Sequence, residues 1–380
     1  MTPTRKKHIL FLMSDTGGGH RASMNAIVGG LHDRYGENTF TWSYVDVFRH
    51  MRYPNNKAPE LYPHLVGELR PLWALTYTLL DDVRRSQWYT RYLSVLNKFR
   101  LIEMLRDNPA DLVVCVHSIV ARPTMDALLE IGHRPPYITV VTDLFTTPYF
   151  WYDPRVDRCL VPTQRAFERG LEAGMNAGQM AITGLPVHPR FMQNLTDKAD
   201  ARQRLGWDPN LPAILIVGGS DGMGPLFETA RAINDLKLKC QLAIVAGRNT
   251  RLAQKLRTAI WNQPVHIYPF IDYMPRLMAG ADVLVTKAGP SSISEALIAG
   301  LPVILYDRIP GQEEGNVDFV VQNEIGIFTP QPEKAADAVR EWLGEGAASM
   351  RARSERARAF AEPDASFTIA DEIWRFAAPS

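Results

Sequence analysis

Cysteine is scarce and scattered: Cys115, Cys159 and Cys240 are the only three among 380 residues. Each lies in an apolar run, which excludes a disulfide framework or a cysteine-held metal and fits buried thiols in a reducing compartment. Charge of one sign is lacking too. Against 42 Lys and Arg stand 41 Asp and Glu, a net charge of +1, so the overall balance leaves no footprint for nucleic acid, and no nucleic-acid-binding motif occurs. No apolar run reaches the roughly 18 residues a membrane helix needs. The apolar stretch after Arg5-Lys6-Lys7 is short and meets Ser14-Asp15-Thr16 without a small-residue cleavage site, so no signal peptide is read. Neither an Asp-x-Asp cluster nor a His/Cys ligand spacing marks a metal; a loosely held magnesium stays open but is not called for. These absences lead us to expect a cytoplasmic protein that meets a membrane only from outside the bilayer core.

What the chain does have is two glycine-rich turns, each placed where an apolar run gives way to a helical pattern. The first is Met13-Ser14-Asp15-Thr16-Gly17-Gly18-Gly19-His20, the second Val217-Gly218-Gly219-Ser220-Asp221-Gly222. A turn without side chains lets a ligand approach the N–H groups of a helix N-terminus, where partial positive charge gathers, and so suits phosphate. Neither turn carries the dehydrogenase fingerprint or the Lys-Ser/Thr ending of a P-loop, which argues against hydride transfer and ATP hydrolysis.

Apolar runs at 8–13, 42–47, 112–116, 137–141, 159–161 and 180–182 alternate with helical patterns, and the rhythm restarts at 212–217, 242–245, 265–268, 283–285, 303–306 and 326–328. This predicts an α/β protein of two Rossmann-like domains facing one another across a cleft. The proline-rich Gly184-Leu185-Pro186-Val187-His188-Pro189 marks the boundary. We therefore expect domains at 1–185 and 186–365, with a C-terminal helix at 366–380 that packs back on the first domain. The stretch from Arg351 to Phe376 reads as charged, alanine-rich and helical.

One region departs from the rhythm. Between Phe40 and Arg100 lie 12 of the 36 aromatic residues, and from Arg49 to Arg106 ten Lys or Arg face five Asp or Glu. Trp73, Tyr77, Arg84, Arg85, Trp88, Tyr89 and Arg91 suit the headgroup layer of an anionic membrane. The spacing of Leu72, Leu75, Leu79 and Val83 suits a buried helix face equally well.

The densest constellation is Thr286-Lys287-Ala288-Gly289-Pro290-Ser291-Ser292-Ile293-Ser294-Glu295, followed by Pro310-Gly311-Gln312-Glu313-Glu314-Gly315-Asn316. It reads as strand, turn and helix, with Ser291 as a candidate N-cap. N–H groups around Ser291 and Ser292 suit a diphosphate, and Glu295 suits a ribose diol or, more blandly, the helix dipole. Lys287 suits a phosphate or a role in holding the turn.

Together the two glycine turns and these two segments resemble the inverting, metal-independent GT-B glycosyltransferases that use nucleotide sugars. Within that group, SDTGGGHRAS and LPVILYDRIPGQEEGNVDFVV look most like the monogalactosyldiacylglycerol synthases, over a span from His8 to about Gly326. The resemblance implies a UDP-sugar donor, a diacylglycerol acceptor, a peripheral position on the inner face of the membrane, and no required cofactor. It implies that Gly18, Gly19, Gly219, Ser220 and Asp221 belong to the glycine loops, with the second facing the diphosphate beside Pro290, Ser291 and Ser292. By the same likeness Glu295 binds ribose, Phe270 and Ile271 bind uracil, and Gln312 and Glu313 contact sugar hydroxyls. His20 matches a histidine proposed for acceptor activation or phosphate contact, and Asp143 ends a strand in the cleft; either, or the two coupled, is the candidate base. Departures from the family pattern fall at Phe145-Thr146-Thr147-Pro148, where a histidine is absent, at Ser220-Asp221, and at Ser291-Ser292. UDP-glucose stays open as the donor, and a UDP-sugar 2-epimerase or a non-catalytic nucleotide-sugar- or lipid-binding protein are the rival readings.

Overall fold

The computed structural model describes residues 6–132 and 134–377. It divides into two compact units, Met1–Pro189 with Pro310–Gln312 and Asp364–Ser380, and Arg190–Ile309 with Glu313–Pro363. Each is built on a six-stranded sheet whose pairings are all parallel.

The first sheet comprises β1 (Lys7–Met13), β2 (Phe40–Asp46), β3 (Leu112–Cys115), β4 (Tyr137–Val140), β5 (Arg158–Val161) and β6 (Met180–Ile182), in the order β2-β1-β3-β4-β5-β6. Ile9 to Met13 and Leu112 to Val116 are buried, which is why both runs read as unbroken apolar segments: helices cover both faces of a parallel sheet. The two faces feed separate cores, Leu10, Leu12, Val113 and Cys115 on one side and Ile9, Phe11, Leu112 and Val114 on the other. The second sheet comprises β7 (Ala213–Val217), β8 (Gln241–Val245), β9 (Val265–Tyr268), β10 (Val283–Lys287), β11 (Val303–Asp307) and β12 (Gly326–Phe328), in the order β12-β11-β10-β7-β8-β9. All twelve expected strands are present, with ends shifted by at most two residues.

The helices of the first unit include α1 (Gly19–Tyr35), α2 (Ala58–Gly67), α3 (Arg70–Leu80), α4 (Val83–Asp107) and α5 (Ser118–Ile131). The C-terminal stretch is not one helix. It forms helices Ala347–Ala359 and Ala365–Ala377, interrupted around Pro363, a residue with no backbone N–H to continue the ladder. The last helix packs on α1 within the first unit: Tyr35 stacks on Trp374 at 4.4 Å, the Tyr35 hydroxyl donates to Asp371, and Ile369, Ala370 and Ile373 join the core of that sheet face. The final three residues of the expected 366–380 helix lie outside the described residues.

In the segment 58–107, the expectation that Leu72, Leu75 and Leu79 form a buried face fails: they are 48–57% exposed on α3. The reason is that α3 turns its aromatic side inward, where Trp73 and Tyr77 line a cavity with Tyr89 of α4. On α4, Trp88, Tyr92, Val95 and Phe99 recur at i, i+4, i+7 and i+11 and are 53–77% exposed, forming an outward apolar stripe. Arg84, Arg85, Arg91 and Arg100 are exposed along the same helix. Among the described residues no helix is long and apolar enough to cross a membrane.

Candidate active site

In open parallel sheets ligands bind beyond the strand C-termini where the strand order reverses. In the first unit this point lies between β1 and β3. The glycine turn follows β1 and His117 follows β3, so topology alone brings two remote segments together. Gly17 has φ +80° and Gly18 occupies the N-cap of α1. Gly19 is different, since a Cβ built there would meet nothing within 4 Å. The fold does not demand a glycine at 19.

His20 is the second residue of α1. Its Nδ1 lies 2.9 Å from the Val116 carbonyl and 3.0 Å from the Thr142 hydroxyl. A carbonyl only accepts, so Nδ1 carries the proton and Nε2 keeps its lone pair. Burial pushes the imidazole down to about 4, partly offset by that carbonyl, so the ring is neutral near pH 7. Asp143 accepts a hydrogen bond from the Trp151 indole N–H at 2.7 Å. The orienting partner of His20 Nδ1 is therefore the Val116 carbonyl, and the coupling of His20 to Asp143 considered above is not made through that nitrogen.

His117 escaped the sequence reading. It is buried, packs its ring 4.3 Å from that of His20, and pairs Nε2 with the Thr16 hydroxyl at 3.0 Å. Burial and the neighbouring His20 hold it well below its usual pKa. His20, His117 and Asp143 line one cavity of about 280 Å³ whose other walls are largely apolar, among them Phe48, Leu61, Leu65, Leu80, Leu93 and Phe150. Few polar groups in an apolar pocket is the signature of a small-molecule site that fixes orientation.

In the second unit the order reverses between β7 and β10, and the second glycine turn and Lys287-Ala288-Gly289 follow those two strands. Gly219 takes φ +72°, which turns the chain back beside the Lys287 side chain, 3.4 Å from an ideal Cβ at that position. A Cβ at Gly289 would lie 3.2 Å from Lys287 Nζ, so the ammonium sits against both turns. It is held there by Glu313, whose Oε1 lies 2.6 Å from Nζ and whose Oε2 accepts the Ile309 N–H at 2.8 Å. Glu313 is only 3% exposed. Its two oxygens face Lys287 and the backbone, which leaves Gln312 the more accessible member of the pair expected to meet sugar hydroxyls. Gln312 itself belongs to the first unit, where its Oε1 lies 3.3 Å from the Tyr62 hydroxyl.

The helix after β10 runs Pro290–Ala299 with Gly289 at the N-cap and Pro290 at its first position, so Ser291 is not the cap. The preset φ of proline suits that position. Ile293 N–H bonds the Gly289 carbonyl, which leaves the N–H groups of Ser291 and Ser292 as the first-turn donors without an intrahelical partner. Glu295 lies beyond the first turn, too far along for the dipole to account for it. Burial pushes its carboxyl up to about 7. Ser220 bonds Asp221, Asp221 pairs with Arg248 at 3.5 Å, and the Arg248 guanidinium lies 4.7 Å over the Phe270 ring. Phe270 is exposed and Ile271 half-buried at the end of this row. Arg248 was not anticipated, and Asn316, quoted with its segment but given no role, donates its amide to the Ala288 carbonyl. Among the described residues no group of three or more His, Cys, Asp or Glu could hold a metal ion.

Comparison with known proteins decides the family. Residues 20–187 match the monogalactosyldiacylglycerol (MGDG) synthase family and residues 213–368 the glycosyltransferase family 28 C-terminal domain. A probable monogalactosyldiacylglycerol synthase of Glycine max is 37% identical over 97% of this chain and 71% of its own. The monogalactosyldiacylglycerol synthase of Spinacia oleracea is 36% identical over 98% and 73%. The chain belongs to the monogalactosyldiacylglycerol synthase family. Its fold is GT-B, shared with Acinetobacter baumannii MurG at TM-score 0.58 and 16% identity, covering 97% of this chain and 99% of that one. Anabaena Alr3699/HepE, solved with UDP-glucose, matches at TM-score 0.56 and 15% identity over 97% and 98%. A Listeria monocytogenes protein assigned as a UDP-N-acetylglucosamine 2-epimerase matches as well, at TM-score 0.62 and 15% identity over 98% and 95%, so the fold by itself does not separate transfer from epimerisation. The full-length kinship to the synthases does. The chain is a glycosyltransferase.

Proposed function

We propose that this member of the family moves galactose from UDP-galactose to the free hydroxyl of 1,2-diacylglycerol with inversion, giving a β-galactosyl lipid. The observation that carries the reading is the first unit's cavity, apolar on most sides and holding a neutral His20 with Nε2 open to accept a proton. As the acceptor oxygen bonds to the anomeric carbon, Nε2 takes the hydroxyl proton and UDP leaves with the electron pair of the bond it breaks. The Val116 carbonyl accepts from Nδ1–H throughout and stabilises the imidazolium that forms. Asp143, held by Trp151, lines the same cavity and adds negative charge near that cation.

The second unit supplies the nucleotide part of the donor site. Ser291 and Ser292 N–H groups and the Lys287 ammonium receive the diphosphate, so leaving-group charge is met by fixed dipoles and a cation of the chain itself, without a metal. Glu295, half-buried and with no hydrogen-bond partner for its carboxylate among the described residues, accepts from the ribose diol. Phe270 and Ile271 flank uracil. Gln312 is the residue we assign to the sugar hydroxyls, with Glu313 holding Lys287 in place.

The stripe Trp88-Tyr92-Val95-Phe99 and the exposed Arg84, Arg85, Arg91 and Arg100 form a surface whose chemistry fits an anionic lipid headgroup layer, aromatics at the boundary and cations at the phosphates. On this reading the protein works as a peripheral enzyme on the cytoplasmic face of a membrane that contains its acceptor. The test is release of UDP from UDP-galactose and from UDP-glucose, with and without diacylglycerol in the vesicles. Lipid-dependent release from UDP-galactose supports the proposal; lipid-independent turnover, or use of UDP-glucose alone, removes it.

A further inference from the structure

The apolar cavity of the first unit contains polar atoms that its own walls do not satisfy. Trp73 Nε1 and His117 Nδ1 are both buried from solvent and have no hydrogen-bond partner among the described residues. Both residues line the cavity with His20. An indole N–H can only donate. For His117, burial keeps the ring neutral, and Nε2 pairs with the Thr16 hydroxyl, which can donate or accept; in the tautomer in which the hydroxyl donates to Nε2, the ring proton is on Nδ1 and this nitrogen also donates. A buried donor left unmade is expensive, and native structures that carry one commonly use it on a ligand or water. Two such donors on residues that line one greasy pocket call for a ligand that is apolar over most of its surface and presents acceptors to them.

We infer that Trp73 and His117 bind the ester carbonyl oxygens of the acceptor, so that the enzyme distinguishes ester-linked from ether-linked diglycerides. The inference rests on the proposed lipid acceptor and goes beyond it. Ester carbonyls lie within a few bonds of the glycerol hydroxyl, so hydrogen bonds to them fix that hydroxyl before His20, whose ring packs against that of His117. The Trp73 ring is set by an edge contact with Tyr62 at 5.6 Å and a tilted contact with Tyr77 at 6.4 Å, both of which also line the cavity. A dialkylglycerol of matched chain length has the same hydroxyl and apolar bulk but no carbonyl. It would leave both donors unmade, the situation in which a polar pocket rejects an analogue most strongly.

The experiment compares kcat/KM for 1,2-diacylglycerol and 1,2-di-O-alkylglycerol, each presented in the same anionic vesicles, for the full chain and for Trp73→Phe. The substitution removes the N–H and keeps an aromatic ring, and unchanged UDP affinity serves as the control for folding. We expect the intact enzyme to prefer the ester by about tenfold or more, and Trp73→Phe to shrink that preference several-fold, with His117→Leu shrinking it in the same direction. Equal use of both lipids by the intact enzyme, or an ester preference that Trp73→Phe leaves intact, overturns the inference while the proposed transfer stands. Transfer to neither lipid by a chain that still binds UDP would instead remove the lipid-acceptor reading, and this inference with it.

Discussion

The two units build the same crevice from opposite materials. Both place a glycine turn and the end of a neighbouring strand at the reversal of strand order, yet the first unit surrounds the point with apolar side chains and two neutral imidazoles. The second surrounds it with an ion pair, free N–H groups and a carboxylate. Burial drives His20 down to about 4 and Glu295 up to about 7, so the same desolvation leaves each group neutral over more of the pH range. The difference teaches that strand topology selects where a site lies and the residues at the strand ends select what it holds. Chemistry that needs a base for an apolar alcohol is assigned to one crevice and binding of a charged nucleotide to the other.

The sharpest way to break this division is to remove the base. His20→Ala should lower transfer to diacylglycerol by roughly 10²- to 10⁴-fold while UDP affinity by calorimetry stays within about twofold. Equal losses of both would mean that the first crevice also binds nucleotide. Next in size, Glu295→Ala should weaken UDP by about ten- to a hundredfold in a folded protein, with uridine affected as much as UDP because the contact is to ribose. A change confined to UDP would move Glu295 to the diphosphate.

Glu313 sharpens the comparison from inside the second unit. If it holds Lys287, Glu313→Gln should weaken UDP and UDP-galactose by the same factor, a few-fold to tenfold; a loss confined to UDP-galactose would make it a sugar ligand after all. An effect of another kind is expected at the lipid surface. Replacing Arg84, Arg85 and Arg91 together by Ser removes contacts worth about 1 kcal/mol each, and should reduce sedimentation with anionic vesicles and its sensitivity to salt. Unchanged sedimentation would leave the α4 stripe without a lipid role.

The smallest effect concerns pH. Glu295 titrates near 7 in the free protein against roughly 4.3 in an unfolded chain, so its contribution to stability is full below the unfolded value and is lost as pH rises through about 7. The carboxylate is the form that accepts from a diol, so UDP affinity should rise with pH up to about 7 and level off above it. Glu295→Gln should flatten both curves, and a UDP affinity that still climbs through pH 7 in that variant would place the titrating group elsewhere.

Much of this was legible in the chain because buried parallel strands read as continuous apolar runs, and every such run became a strand. The strand ends carried the proposed donor site as well: Lys287, Gly289 and Glu295 lie close along the sequence, so local reading singled them out. His117 was not legible in the same way. It ends an apolar run like any other, and becomes a neighbour of His20 only once β3 pairs with β1 across about a hundred residues. The cap at Gly289 was misread because Ser291 is the better capping side chain, while Pro290 at the first helical position already marked the start. Leu72, Leu75 and Leu79 were ambiguous for a different reason: periodicity defines an apolar face and says nothing of what covers it.

The central claim, a single displacement at the donor sugar by a lipid hydroxyl activated in the first unit, is tested most directly by the anomeric configuration of the product. Incubating the full chain with UDP-galactose and diacylglycerol vesicles and reading the anomeric proton coupling of the purified lipid by NMR should show a β-galactoside. An α-galactoside, or UDP released at full rate with no glycolipid formed, would contradict the account.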